Sequence, residues 1–389
     1  MSKFLEKKLS KRPPLKRLNR RDLLKGLAVM GGGTIISNAL GQSQTHLLLQ
    51  DQDNTGSTQK LSYADILKNA RERLSPTCRV CRVCNGVACS GDAGGIAGAG
   101  SGMSFQNNFT ALQKVRLEML NLHDVVNADP STTIFGRKIS FPAVAAPMGP
   151  AATRFGKGIP VLDWFDAIVK GCINAGTLGS VGDDPRYPEN DVKSRLEILK
   201  QYNGNAFYNS KPALNSIILK WLPIIEESGA AWLSVDIDSG PKNVTEVREL
   251  VREFKIPIIV KGIMTVDEAN RCIDAGVAGI VVSNHGGRRL DHTPGTAEVL
   301  PAIAASLKGK IPIFADGCVH SGYEVLKYLG LGADVVMVGR HLLRAAYGGG
   351  PEGVTLFMNR MRSEFERAMV MTGVSTVSDI TGKVINIAT

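Results

Sequence analysis

Aromatic residues are scarce in this 389-residue chain: Phe, Trp and Tyr together make up 6% of it, whereas glycine reaches 42 residues. Protein-binding surfaces are usually enriched in aromatic side chains, so this composition favours tight turns around a small ligand. Beyond residue 41 the sequence also lacks any apolar run long enough to cross a membrane. The hydrophobic fraction of 43% is nevertheless sufficient for a large core.

Net positive charge is nearly absent from the larger part of the chain, although the whole chain carries +10. Residues 1–25 hold ten Lys and Arg against Glu6 and Asp22, so eight of the ten net charges lie there. A domain that binds nucleic acid carries basic stripes on its folded part. The remainder shows none, which argues against a nucleic-acid partner and assigns the charge to a targeting segment.

The basic start has the pattern of an export signal. Its paired arginines, Arg20-Arg21, precede two leucines, an apolar run that ends at Leu40, and small residues. This order resembles a twin-arginine secretory signal. A basic surface helix and a membrane anchor are the alternatives, but three successive glycines and only about 15 apolar residues argue against an anchor. We predict that residues 1–41 direct export to the periplasm or another extracytoplasmic compartment.

The rest of the sequence divides by composition. A stretch rich in Gln, Asp, Ser and Thr follows the signal and predicts a flexible linker. Helical spacing of apolar residues then predicts helices over 62–74 and 109–120. Farther on, short β-branched runs alternate with amphipathic segments, a pattern typical of alternating strands and helices. The predicted parts are a linker at 42–60, an N-terminal extension at 61–135, a main domain at 136–376 and a tail at 377–389.

Eight apolar runs in the main domain predict an α/β fold, the (β/α)8 barrel. They are apolar on both faces, as parallel strands covered by helices are, and recur roughly every 25–30 residues. An open doubly wound sheet usually has fewer strands. Helices are predicted at 212–228, 266–275 and 323–329, and a closing helix at 354–371. The predicted strands are 143–146, 177–181, 205–208, 232–236, 258–261, 279–283, 311–315 and 335–338.

In such a barrel the chemistry lies at the C-terminal ends of the strands. The most informative strand end here runs from Ser283 to Asp291 and reads SNHGGRRLD. Its two glycines allow a tight turn that approaches a planar ligand. His285 can act as a base near neutral pH, and Arg288 can hold a carboxylate through two parallel hydrogen bonds. A structural histidine in a turn is the alternative, but the strand-end position favours catalysis.

This string closely resembles the signature of the FMN-dependent 2-hydroxy-acid oxidase and dehydrogenase family, which includes glycolate and lactate oxidases. The resemblance implies an FMN enzyme that oxidises a 2-hydroxy acid or a related activated alcohol, with the flavin as two-electron acceptor. It extends over most of residues 136–348. The other segments that carry it are Ala145–Met148, Leu233–Asp236, Val260–Ile263, Phe314–Val319 and Val338–Arg340.

The resemblance also implies a role for each site residue. His285 takes a proton from the substrate, and Asp236 holds its imidazole. Lys261 stabilises the reduced flavin near N1, and Arg288 binds the substrate. The FMN phosphate lies after the seventh and eighth strands. The implied cofactor-binding residues are Ala146, Pro147, Met148, Ser180, Ser234, Lys261, Ser283, Gly286, Asp316, Gly317, Gly339 and Arg340.

Several positions depart from the family pattern. No counterpart of an active-site tyrosine is found in residues 61–110, a Gln-x-Tyr pair becomes Ala206-Phe207-Tyr208, and no arginine follows Asp236. His320 replaces a phosphate-binding arginine. Two alternatives therefore remain: an FMN barrel enzyme of other chemistry, such as an isomerase, and a flavin electron carrier without turnover. The electron acceptor can be oxygen, a quinone or a redox protein, and a homo-oligomer is expected because relatives are often tetramers.

A cluster of cysteines precedes the barrel. Cys78, Cys81, Cys84 and Cys89 lie within twelve residues, close enough to bind zinc or an iron–sulfur cluster. The spacing differs from the standard ferredoxin runs. Disulfides are the alternative, favoured by an oxidising compartment. We interpret the glycine-rich residues 91–102 that follow as a flexible cover over the barrel mouth.

Overall fold

The computed structural model describes residues 61–92, 96–149, 159–238, 240–307 and 309–387. The predicted signal at 1–41 and the linker at 42–60 therefore lie outside the described residues. Within the described residues, none of the helices combines the length and the apolar character that a membrane crossing requires.

Strands and helices alternate along the main domain, as the sequence predicts. The part before the barrel contains helices α1 (Tyr63–Leu74) and α2 (Met103–Lys114) and strands β1 (Val115–Leu117), β2 (Thr132–Ile134) and β3 (Arg137–Ile139). The barrel contains β4 (Ala143–Ala145), α3 (Val161–Asn174), β5 (Gly179–Asp183), α4 (Glu189–Gln201), β6 (Ala206–Ser210), α5 (Asn215–Lys220), α6 (Leu222–Glu227), β7 (Leu233–Asp236), α7 (Val244–Glu253), β8 (Ile258–Ile263), α8 (Val266–Ala275), β9 (Gly279–Val282), α9 (Thr296–Leu307), β10 (Ile313–Ala315), α10 (Gly322–Gly330), β11 (Val335–Val338) and α11 (Arg340–Met371). A last strand, β12 (Ile385–Ile387), pairs with β1.

The eight strands β4 to β11 form one parallel sheet in the order β4-β11-β10-β9-β8-β7-β6-β5. Its two edges meet where the backbone N–H of Ala145 donates to the carbonyl of Leu178, 3.1 Å away. The sheet thus curves into a nearly closed (β/α)8 barrel. All eight predicted strands are confirmed, although several begin or end at different residues.

Aromatic side chains fill the N-terminal end of the barrel. Phe135, between β2 and β3, lies edge-on to Trp232 with ring centres 5.5 Å apart and stacks on Phe314 at 6.1 Å. Both partners are fully buried inside the barrel. Since this end is packed, open space is left at the opposite end, where the strands finish.

Three predicted helices differ from the structure. The helix predicted at 109–120 is α2, which begins after Gly102 and ends at Lys114. Its polar Asn108 is fully buried because it donates to Asn284 and accepts from the backbone N–H of Thr296, and apolar periodicity alone does not reveal such a helix start. The helix predicted at 212–228 is divided into α5 and α6. The closing helix begins at Arg340.

Candidate active site

A cavity of about 380 Å³ lies at the C-terminal ends of the barrel strands. This volume falls in the usual range for small-molecule sites. Ile96 and Phe105, which precede the barrel in the sequence, form part of its wall. Most of the predicted site residues line this cavity. They are Ala146, Pro147, Met148, Lys261, His285, Gly286, Arg288, Asp316, Gly317, Gly339 and Arg340.

Four predicted site residues lie behind the cavity wall. The hydroxyl of Ser180 donates to the carbonyl of Ala146 at 3.1 Å. Ser283 accepts from Lys261 at 3.0 Å and donates to Asp316 at 2.9 Å. Ser234 and Asp236 are fully buried. The two bonded serines thus support groups that reach the cavity.

The turn after β9 holds its residues in left-handed backbone conformations. His285 has φ +55° and Gly287 has φ +74°. A Cβ atom on Gly287 would overlap the backbone of Phe105. Because glycine allows this close approach, the start of α2 lies directly against the His285 turn.

Asp238 holds the imidazole of His285. The Nδ1 atom of His285 contacts Oδ2 of Asp238, and both side chains are buried. Asp236, predicted to hold the imidazole, forms a buried ion pair with Lys211, and the described hydrogen bond to the imidazole comes from Asp238. Gly262 explains the position of Asp238: a Cβ atom there would lie 2.9 Å from that of Asp238.

Burial keeps His285 in its neutral form. Removal from water lowers the pKa of His285 well below 6.5, and the nearby cations Lys261 and Lys211 lower this pKa further. A neutral imidazole whose Nδ1 is held by a carboxylate presents Nε2 as a proton acceptor. The residue is therefore prepared to act as a base.

Lys261 is surrounded by carboxylates. Its Nζ lies 3.7 Å from Asp316, 3.8 Å from Asp238 and 3.9 Å from Asp236. Burial alone would lower the pKa of Lys261, but these three carboxylates together raise it. Lys261 is therefore a fixed positive charge at the bottom of the cavity.

Further cations line the cavity that were not assigned from the sequence: Lys211, Arg186 and Arg289. Lys211 directly follows β6, so the strand-end rule would have found it. Arg289 lies 3.6 Å from Oδ1 of Asp238. This end of the cavity is suited to an anionic substrate.

The part of the cavity next to the start of α11 has the features of a phosphate site. Gly339 is the N-cap of α11, and the N-terminus of a helix attracts anions. Arg340 donates to the carbonyls of Ile96 at 2.9 Å and Gly286 at 2.6 Å. His320 and His341 lie here with ring centres 4.2 Å apart. One arginine, one helix terminus and two imidazoles thus converge.

Three buried polar groups near the strand ends lack hydrogen-bond partners, which bears on whether the site fits a polar ring such as that of FMN. Within the described residues, no hydrogen bond reaches the amide of Asn209, the hydroxyl of Ser234 or Oδ1 of Asp316. Buried polar groups normally have partners. Of these groups Asp316 lines the cavity, where its free oxygen can pair with the polar edge of an isoalloxazine.

The glycine-rich stretch predicted as a cover lies against the catalytic turn. The N–H of Ala99 donates to the carbonyl of Gly287 at 2.7 Å. Ser101 donates to Asp291 from its N–H at 2.6 Å and from its hydroxyl at 2.7 Å. Residues 96–102 therefore form one side of the cavity mouth, while residues 93–95 lie outside the described residues.

The four clustered cysteines line a second, smaller cavity. All four are free thiols; Cys78 and Cys84 are buried, and Cys81 and Cys89 are half-buried. Arg344 of α11 lines the same cavity and donates to Sγ of Cys84 at 3.0 Å. Metal binding by these thiols stays a prediction.

Comparisons with known sequences identify one family. The sequence profile described as FMN-dependent dehydrogenase matches residues 96–158 and 189–387. An L-lactate oxidase of Lacticaseibacillus rhamnosus is 32% identical over 322 residues, which cover 73% of this chain and 86% of that protein. A 2-hydroxyacid oxidase of Dictyostelium discoideum is 29% identical over 326 residues, covering 74% of this chain and 84% of the relative.

Solved structures share the barrel. A mandelate oxidase with benzoyl-formic acid superposes with a TM-score of 0.68 at 23% identity, covering 84% of this chain and 97% of that chain. At this identity the likeness establishes the fold alone.

Proposed function

The chain belongs to the family of FMN-dependent dehydrogenases, and on this premise we propose that it oxidises a 2-hydroxy acid to the 2-oxo acid. The observation that carries the substrate class is the contact between His285 and Asp238 beside Arg288 and Lys261. A base, a fixed cation and a carboxylate-binding group in one cavity are what the removal of a proton and two electrons from a hydroxy acid requires.

The cavity residues fit FMN along its length. Gly339, Gly317 and Arg340 would hold the phosphate at the start of α11. Ala146, Pro147 and Met148 would line one face of the ring, Asp316 would meet its polar edge, and Ser234 would support the site from behind the cavity wall. When bound, FMN supplies a two-electron acceptor. Ser180 and Ser283 would support the site through hydrogen bonds with Ala146, Lys261 and Asp316. Gly286 accepts a hydrogen bond from Arg340.

The proton step belongs to His285. Its neutral imidazole takes a proton at Nε2 from the hydroxyl or the hydroxyl-bearing carbon of the substrate. Asp238 fixes the tautomer and stabilises the imidazolium that forms. Lys261 compensates the negative charge that accumulates at the bottom of the cavity. Asp236 acts indirectly, through its ion pair with Lys211.

Substrate orientation belongs to two further cations that line the cavity, Arg288 and Lys211. Arg288 lines the cavity one turn beyond His285 and would hold the substrate carboxylate in two hydrogen bonds. Lys211 takes the place of the arginine that the family pattern has after the fourth strand. It follows the strand next to Asp236 and carries the same sign of charge into the cavity.

Export and a metal at the cysteine cluster complete the proposal. Residues 1–41 would direct the folded enzyme out of the cytoplasm through the twin-arginine route. Cys78, Cys81, Cys84 and Cys89 would bind an iron–sulfur cluster or zinc. The external electron acceptor and a homo-oligomer remain parts of the proposal that rest on the resemblance.

Anaerobic bleaching of the flavin tests the substrate class. The purified full chain, loaded with FMN, is mixed with glycolate, L-lactate and L-mandelate, and the flavin absorbance is followed. We expect at least one of them to bleach the flavin in a single two-electron reduction. Failure of every 2-hydroxy acid, with FMN bound, would favour the isomerase or electron-carrier alternatives.

A further inference from the structure

The cysteine loop and the flavin cavity share a wall. Ile96 and Phe105 line both cavities. The guanidinium of Arg340, which lines the flavin cavity, lies 3.7 Å from the centre of the Phe105 ring. Cys318 of the flavin cavity also packs with Phe105 and Cys84. One layer of side chains therefore separates the thiols from the phosphate end of the flavin site.

A buried cation faces the thiols. Arg344 is 4% exposed, and among the described ion pairs none joins it to a carboxylate. Its Nη2 points at Cys84, and its Nε has no hydrogen-bond partner. A buried charge without a counter-ion is costly. An anionic group held by the thiols would supply that counter-ion.

The arrangement of the sulfurs favours a multinuclear cluster over a single ion. Zn–S bonds of about 2.3 Å put the four sulfurs of a tetrahedral site about 3.8 Å apart. Within the described residues, no three of these cysteines have their Sγ atoms within 4.8 Å of one another. A cluster of several irons binds one thiolate per iron and so holds its thiolates farther apart.

The spacing shares the first three positions of a ferredoxin run and departs from it at the fourth. Cys78, Cys81 and Cys84 repeat the C-x2-C-x2-C start of the bacterial ferredoxin run, and Cys89 lies one residue farther than the fourth position of that run. The cavity among the thiols measures about 20 Å³, so the loop must open outward around a cluster. Residues 75–92 contain neither helix nor strand, which allows such an opening.

We propose that Cys78, Cys81, Cys84 and Cys89 bind a [4Fe–4S] cluster that carries electrons from the flavin to an external one-electron acceptor. The electron source rests on the proposed function. Each substrate oxidised yields two electrons and two protons. The electrons leave one at a time through the cluster and reduce two molecules of an oxidised haem protein, and the protons pass to water. Arg344 is the counter-ion of the cluster.

The outer face of the cysteine loop is where electrons would leave the cluster for the external acceptor. Cys81 and Cys89 are the half-buried ligands, and Val83 and Val87 next to them are more than half exposed. Arg82 is exposed on the same loop. A small apolar surface with a basic neighbour suits brief docking of a redox protein, since such encounters bury little area.

Metal analysis and spectroscopy of the anaerobically purified full chain test the cluster. We expect about four irons and about four sulfides per chain, and a paramagnetic signal after reduction with dithionite. Cys81→Ser and Cys89→Ser should lose the iron and the signal but keep FMN. Cys272→Ser, a cysteine of α8 outside the loop, is the matched control and should keep both. Zinc without iron, or two disulfides in the intact protein, would overturn the proposal.

Reoxidation kinetics test the electron path separately from the substrate. The flavin is reduced by light with EDTA as electron donor, so no hydroxy acid is needed, and oxidised cytochrome c is then added in the dark without oxygen. We expect Cys81→Ser to reoxidise at least about tenfold more slowly than Cys272→Ser. Equal rates would overturn the role as an electron carrier. If hydroxy acids fail to bleach a flavin that is still oxidised through the cluster, the proposed function fails and this inference stands.

Discussion

The imidazole of His285 is held by Asp238, which lies two residues beyond the last residue of its own strand. Residues of a strand alternate between faces, so Asp236 and Asp238 point in the same general direction at successive heights. Asp236 pairs with Lys211 and Asp238 contacts the imidazole, while both carboxylates lie within 4 Å of Nζ of Lys261. The two carboxylates thus have separate tasks.

Asp238→Asn should slow flavin reduction by about 100-fold or more, because the amide no longer fixes the reactive tautomer or stabilises the imidazolium. Asp236→Asn should mainly reduce the free energy of unfolding, by about 3–5 kcal/mol, because it breaks a buried ion pair. Stopped-flow absorbance and chemical denaturation measure the two effects. If Asp236→Asn abolished reduction and Asp238→Asn did not, Asp236 would be the orienting carboxylate.

His285→Gln should lower the rate of flavin reduction by about 10²–10⁴-fold, the usual contribution of a positioned base. FMN content should be unchanged, since the side chain contacts Asp238 and the backbone N–H of His285, which donates to Ser283, is kept in the variant. Comparison of bleaching at saturating 2-hydroxy acid tests this. A variant that bleaches at the wild-type rate would remove His285 from the reaction.

Lys261→Ala should raise the barrier to flavin reduction by about 2–4 kcal/mol, as the loss of one preorganised charged donor does. Lys261→Arg keeps the charge among Asp316, Asp238 and Asp236 and should recover part of the rate. Single-turnover reduction is the measurement. An unchanged rate in the alanine variant contradicts the assigned role.

Gly287→Ala and Gly309→Ala form a matched pair, because both glycines have φ +74°. At Gly309 a Cβ atom meets nothing within 4 Å, so only backbone strain of about 1–2 kcal/mol is expected. At Gly287 the Cβ atom would overlap Phe105, so a larger loss of unfolding free energy and weaker FMN binding are expected. Equal losses would mean that α2 does not pack on the turn.

Acid should destabilise the FMN-free protein partly through His320. Burial, reinforced by Arg344 and Arg340, lowers the pKa of His320 from 6.5 to about 4. The unfolded chain therefore binds a proton that the folded chain refuses, and stability falls as the pH drops from 6.5 towards 4. The wild type should lose about 2 kcal/mol more than His320→Asn between about pH 7.5 and about pH 5. Denaturant titrations at both values measure this difference.

The barrel could be predicted because its signal is local and repeated. Each strand is a short apolar run, and each polar residue after it marks the same end of the barrel. The partner of His285 could not be predicted this way. Asp236 and Asp238 lie two residues apart at the end of one strand, and the sequence alone does not show which of them contacts the imidazole. That choice depends on Gly262 of the neighbouring strand, where the missing Cβ admits Asp238.

The sequence also did not predict that α2 packs on the loop after β9. Buried Asn108 and Ser104 interrupt the apolar pattern of this helix, because their partners lie in the loop after β9. Lys211, by contrast, was accessible to the strand-end rule and was missed because the third strand has a weak apolar signal.

Asn108, which precedes the barrel in the sequence, hydrogen-bonds both ends of the loop between Asn284 and Thr296. A shortened chain that starts at residue 136 would retain every barrel strand but lose these two hydrogen bonds. Exchange of the preceding segment between related barrels would therefore reshape the loop that carries Arg288 without any change in the barrel itself. The segment before the barrel thus acts on the site both through the cavity wall, with Ile96 and Phe105, and through the loop that carries Arg288.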